Sequence, residues 1–160
     1  MSDTVPEIRY WDDYEVGEET VHGTHRVTEQ EIIEFAQRYD PQPFHVDPVK
    51  AVDGPYGGLI ASGWHTIALY MGLLVRNETV KSAGQGSPGV DEVRWLVPVR
   101  PGDELTARGR IVDKWPSETK PGRGTVVHEH EMVNQRGEVV MRFRGRGYWG
   151  RRPEADEATG

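Results

Sequence analysis

The chain has 160 residues, 36% hydrophobic and 28% charged, with a formal net charge of −7 and no cysteine. That length suits one domain with a real core. The acidity argues against a general nucleic-acid binder, and the lack of cysteine excludes disulfides and thiolate chemistry and fits a cytoplasmic address. No apolar run approaches the roughly 20 residues needed to span a bilayer, and Met1 to Glu7 lack the basic and apolar regions of a signal peptide. Residues 1–150 read as one domain and 151–160, polar and turn-rich, as a frayed tail.

Tyr10, Trp11 and Tyr14 precede Gly17 and make an aromatic leading segment that packs onto the domain. Residues 19–27 read as a strand that places His22 and His25 on opposite faces. Thr28 and Glu31 then form a capping box for a helix with Ile32, Ile33, Phe35 and Ala36 on one face. Pro41 disfavours a helical Asp40, so this helix ends near Tyr39. Asp40 should therefore feel the partial negative charge of a helix C-terminus, which would raise its pKa. Asp47-Pro48 reads as a cap and first residue of a short turn through Val52, so Asp47 is a structural carboxylate.

After a loop at Asp53 to Gly58, the run Leu59 to Val75 is apolar nearly all round and predicts a buried helix from about Ala61 to Arg76. Val90 to Val99 alternate as a strand, Arg100 to Asp103 turn, and Glu104 to Val112 form a strand with Leu105, Ala107, Gly109 and Ile111 on one face. Trp115 to Gly124 is a loop. Strands Thr125–Asn134 and Glu138–Trp149 make a hairpin over Arg136-Gly137. A two-residue turn there sets Glu131 opposite Arg142 and Glu129 opposite Arg144, pairs worth about 0.2–1 kcal/mol each. The order predicts an α+β domain, an antiparallel sheet wrapped around one long buried helix.

The chemistry concentrates in Asp40-Pro-Gln-Pro-Phe-His45, where two prolines stiffen the link between a carboxylate and an imidazole. Such a pair can deprotonate and reprotonate a water molecule, which hydration of a carbon–carbon double bond requires. Other candidates read as structure. His128 and His130 share a strand face with no third metal ligand evident, His65 reads as packed, and nothing beside Ser62 would activate it as a nucleophile. Gly54, Gly57 and Gly58 lack the strand-then-helix setting of a phosphate loop.

The stretch Asp40 to His45, Ala51, Gly57 to Gly63 and the turn Val97 to Asp103 resemble the MaoC-like (R)-specific enoyl-CoA hydratase family, whose fold is a single hot dog. The resemblance spans about Val16 to Trp149. It implies that Asp40 and His45 hold and activate the water, and that the Gly63 N–H, at the head of the long helix, receives the thioester carbonyl. Gln42 stands where the family has Asn, and Tyr39 and Phe44 where smaller or aliphatic residues are usual. With Ser62 and Trp64 these become candidate substrate-binding residues. No metal or redox cofactor is implied, coenzyme A being part of the substrate, and the family implies a homodimer or dimer of dimers with no nucleic acid and no membrane. Lys50, Arg94 and Arg100 are cations available to the coenzyme A phosphates. One alternative is a hot-dog acyl-CoA thioesterase, against which Leu59 to Val75 holds no Asp or Glu. Others are a non-catalytic acyl-CoA-binding protein and a hydratase of branched, dicarboxylic or steroid-derived acyl groups.

Overall fold

A computed structural model describes residues 7–155. The expectations for the first six residues and for the tail beyond 155 lie outside the described residues. Strands β1 (Glu19–Arg26), β2 (Gly89–Trp95), β3 (Glu104–Pro116), β4 (Arg123–Val133) and β5 (Val139–Gly150) form one antiparallel sheet, ordered β1-β3-β4-β5-β2. Helix α1 (Glu29–Tyr39), short helices α2 (Pro43–Val46) and α3 (Pro48–Val52), and the long α4 (Gly63–Asn77) lie between β1 and β2 in the chain. This is the hot-dog arrangement, a curled sheet with one long helix against its inner face.

Local chemistry sets the boundaries. Thr28 and Glu31 close the capping box at α1, and Asp47 caps α3 through the N–H groups of Val49 and Lys50. Period-two alternation turns Leu105, Ala107 and Ile111 of β3 inward and leaves Arg108 and Arg110 outside. Ile32, Tyr70, Leu105, Ala107, Met132 and Met141 are fully buried in the core between sheet and helix. The leading segment packs as expected. Trp11 donates its indole N–H to the Thr125 carbonyl at 3.0 Å, and its ring fills the space where a Cβ on Gly124 would stand.

Several boundaries differ from the sequence reading: β3 runs on to Pro116 and β4 begins at Arg123, which shortens the stretch read as a loop from Trp115 to Gly124. Helix α4 starts at Gly63 because Ser62 takes the cap position and accepts the Trp64 N–H. It is buried on one side only: His65, Thr66, Tyr70 and Leu73 face the core, whereas Trp64, Ala68 and Met71 are exposed. A single sheet covers one face of a helix, so an apolar run does not by itself bury the other. Strand β2 stops at Trp95, after a bulge at Asp91–Arg94 where Glu92 adopts φ +54°. The β4–β5 turn is longer than two residues. Asn134 Oδ1 accepts the N–H groups of Arg136 and Glu138 and wraps the chain around itself, with Gly137 at φ +78°. The expected register nonetheless holds, Glu129 opposite Arg144 and Glu131 opposite Arg142. Glu129 pairs with Arg144, but Glu131 turns to Arg108 on its other flank. Among the described residues no helix is long and apolar enough to cross a membrane.

Candidate active site

Asp40 caps the end of α1, its N–H bonded to the Ala36 carbonyl. Pro43 then opens α2 as its first residue, and that single turn aims His45 inward until the residue is 5% exposed. The His45 Nδ1 lies 2.7 Å from the Ile60 carbonyl oxygen. A carbonyl only accepts, so Nδ1 carries a proton. The ring's other nitrogen, Nε2, therefore faces Asp40 Oδ2, at 3.3 Å. Phe44 meets the His45 ring edge-on and limits its rotation.

Both Asp40 oxygens are occupied. Gln42 Nε2 donates to Oδ1 at 2.8 Å and the Ser62 hydroxyl donates to Oδ2 at 2.7 Å. Partial burial pushes the Asp40 pKa up, but the bonds from Gln42 and Ser62 and the adjacent imidazole outweigh it and hold the carboxyl below its ordinary value. The expected upward shift is thus corrected: side-chain donors aimed at the carboxylate prevail over the helix-end charge.

Gly63 is the first residue of α4, so its N–H has no acceptor within the helix. A Cβ at this position would sit 2.3 Å from the Trp95 ring, so only glycine fits. Gly63, Gln42, Phe44 and His45 line a cleft of about 430 Å³, completed by Trp95 and Val140. Asp40 stands beside it with its side chain 19% exposed. The cleft thus combines a carboxylate, a directed imidazole nitrogen and a free backbone donor at a helix N-terminus, the parts needed to move a proton and steady a developing oxyanion.

The fold brings together Asp40, Gln42, Phe44, His45, Ser62 and Gly63 but leaves two candidates outside. Tyr39 is 65% exposed and lies against Phe35, and Trp64 is 60% exposed, edge-on to Trp95 and outside the cleft lining. His65 is packed, stacked on Phe35 with Nε2 3.5 Å from Glu31. Among the described residues no cluster of His, Asp or Glu could hold a metal. The Ile60 carbonyl and the Trp95 ring went unnoticed in the sequence. A backbone acceptor has no residue signature, and Trp95 read only as one more alternating strand residue. A second cavity of about 310 Å³ lies toward the far end of α4, with Met71, Leu74, Val90, His128, Phe143 and Trp149 in its wall.

A family model described as MaoC like domain matches residues 14–133. The uncharacterized protein YdeM of Bacillus subtilis (strain 168) is 30% identical over 116 residues, 72% of this chain and 82% of that one. The 3-hydroxyacyl-thioester dehydratase Z of Mycobacterium tuberculosis (strain ATCC 25618 / H37Rv) is 36% identical over 88 residues, 54% of this chain and 58% of that one. This chain therefore aligns with little more than half of that protein's length. Among solved structures, the MaoC-like dehydratase of Rhodospirillum rubrum superposes with a TM-score of 0.84 at 40% identity, covering 91% of this chain and 99% of that one. The unliganded R-hydratase PhaJ1 of Pseudomonas aeruginosa gives a TM-score of 0.74 at 22% identity, with 94% of each chain covered; at that identity the likeness concerns the fold.

Proposed function

Because the chain belongs to the MaoC-like domain family, we propose that it adds water reversibly across the double bond of a 2-enoyl thioester of coenzyme A, giving the 3-hydroxyacyl thioester. The observation that carries this reading is the Asp40–His45 pair, 3.3 Å apart and beside the cleft that the Gly63 amide lines. Two atoms that close can both reach one water molecule.

In the hydration direction the water oxygen bonds to the β-carbon and the π electrons move through the α-carbon to the thioester oxygen. The Gly63 N–H, backed by the dipole of α4, stabilises that charge. The pair takes a proton from the water and returns one to the α-carbon, so atoms and charge balance. Dehydration is the same path reversed. The thioester already acidifies the α-position, so protein groups suffice and we assign no metal or redox step. The dehydratase Z named above acts, by its name, on a 3-hydroxyacyl thioester, which agrees with the class of substrate proposed.

A second copy of the chain is part of this reading. Trp64, Met71, Trp95 and Leu96 are each 46–60% exposed, apolar surface of a kind that marks an interface. A homodimer covering them would also close the cleft region, and sedimentation of a monomer at micromolar concentration would remove this part.

Incubation with crotonyl-CoA and a longer enoyl-CoA tests the activity. Loss of enoyl absorbance without release of free thiol is the expected result. Thiol release would make the protein a thioesterase, and no change with any chain length would leave only binding.

A further inference from the structure

We propose that Ser62 is a positioning residue, its hydroxyl fixing the Asp40 carboxylate relative to the Gly63 N–H; this inference rests on the hydration reading above. The argument starts from valence. Ser62 Oγ lies 3.3 Å from the Trp64 N–H and 2.7 Å from Asp40 Oδ2. The amide can only donate, so Oγ accepts from it. The hydroxyl's single proton is then free to go to one place, the carboxylate. The amide bond keeps its direction whatever the pH, and the bond to the carboxylate keeps its own only while Asp40 Oδ2 carries no proton.

Geometry gives the bond its consequence. Ser62 is fully buried and caps the helix whose first residue is Gly63. One oxygen therefore joins the water-activating carboxylate, 22 residues earlier in the chain, to the turn that presents the carbonyl-binding amide. Gln42 holds the other carboxylate oxygen from an exposed position. With both oxygens held, Asp40 cannot rotate about its terminal bond or take up a proton on Oδ2 without turning the Ser62 hydroxyl away. The low pKa of Asp40 agrees with this. Ser62 thus belongs to neither substrate binding nor nucleophilic attack.

The test combines NMR titration of the Asp40 carboxyl with pH profiles for crotonyl-CoA hydration in the full chain. In the wild type, the Trp64 amide shift should titrate with the Asp40 midpoint, because protonating Asp40 forces the shared hydroxyl to turn. Ser62→Ala should raise the Asp40 midpoint and move the acid limb of kcat/KM upward together. Its kcat should fall about ten- to a hundredfold while KM changes little, as expected for a misplaced catalytic group. Ser62→Thr, which keeps the hydroxyl, should recover the midpoint and the limb. An Asp40 midpoint unchanged in Ser62→Ala, or a Trp64 amide indifferent to Asp40 titration, overturns the assignment, and the second reading needs no variant to fold. If the wild type hydrates no enoyl-CoA, the proposed function fails, and the two NMR titrations still decide whether Ser62 fixes Asp40.

Discussion

At the first turn of α4, His45 is pinned by the Ile60 carbonyl on one nitrogen and faces the Asp40 carboxylate with the other. Toward the helix's far end, His128 and His130 stack 5.2 Å apart in the wall of the second cavity. His130 meets the Tyr70 hydroxyl at 2.7 Å, and neither ring pairs with a carboxylate among the described residues. Burial lowers the His128 pKa to about 4, helped by His22 and Arg9, and holds His130 well below its ordinary value. Both regions bury imidazoles, so burial is not what distinguishes a working site. What does is a partner acid and a fixed proton on the remote nitrogen, which together hold the near nitrogen beside a carboxylate at the edge of a cleft.

The sharpest way to break this contrast is substitution of the pair. Asp40→Asn and His45→Gln should each lower hydration turnover by at least about 10²-fold, whereas His128→Phe should leave turnover intact. Equal losses in all three folded variants would erase the distinction.

Stability against pH separates the two regions next. His128 is depressed from 6.5 to about 4. Above 6.5 it is neutral in both folded and unfolded chains. Between 6.5 and 4 the unfolded chain takes the proton and the folded one does not, so stability falls with pH and levels off below 4. The loss is about 3 kcal/mol from this residue, taking 1.36 kcal/mol per pH unit. Denaturant melts across this range should show the slope, and His128→Phe should reduce it while His130 keeps its own share. Asp40, depressed from 3.8, contributes stability above that value that is lost only below it, outside the same window.

Gly63→Ala forces a methyl into the Trp95 ring; it should destabilise by about 1–3 kcal/mol and abolish hydration, read by thermal melting and the absorbance assay. Thr28→Ala removes the α1 cap and should cost about 1 kcal/mol while sparing chemistry. Smallest of all, Arg144→Ala breaks a pair half exposed on both sides and should leave the melting temperature unchanged.

Much of the fold was legible because its signals are local. Thr28 with Glu31, Asp47 with Pro48, and the alternation of β3 each need only neighbouring residues to be read, and so does the Asp40–His45 spacing. The contact of Ser62 with Asp40 was not legible, since nothing in either segment records that the chain returns after 22 residues. The sign of the Asp40 shift failed for the same reason: the helix-end argument counted the backbone of α1 and not donors arriving from Gln42 and Ser62. Trp64 was read as a candidate for the acyl pocket, yet successive helix residues point about 100° apart, and it lies on the exposed side of α4 outside the cleft lining.

The meeting of Gly63 and Trp95 carries a mechanical consequence. The indole of Trp95, last residue of an edge strand, rests on the backbone of Gly63, first residue of the central helix, because the glycine has no side chain to hold it off. A displacement of β2 is therefore felt at the amide through that ring. Whatever docks along that edge and the chemistry inside the cleft share this contact, so a change at one is passed to the other.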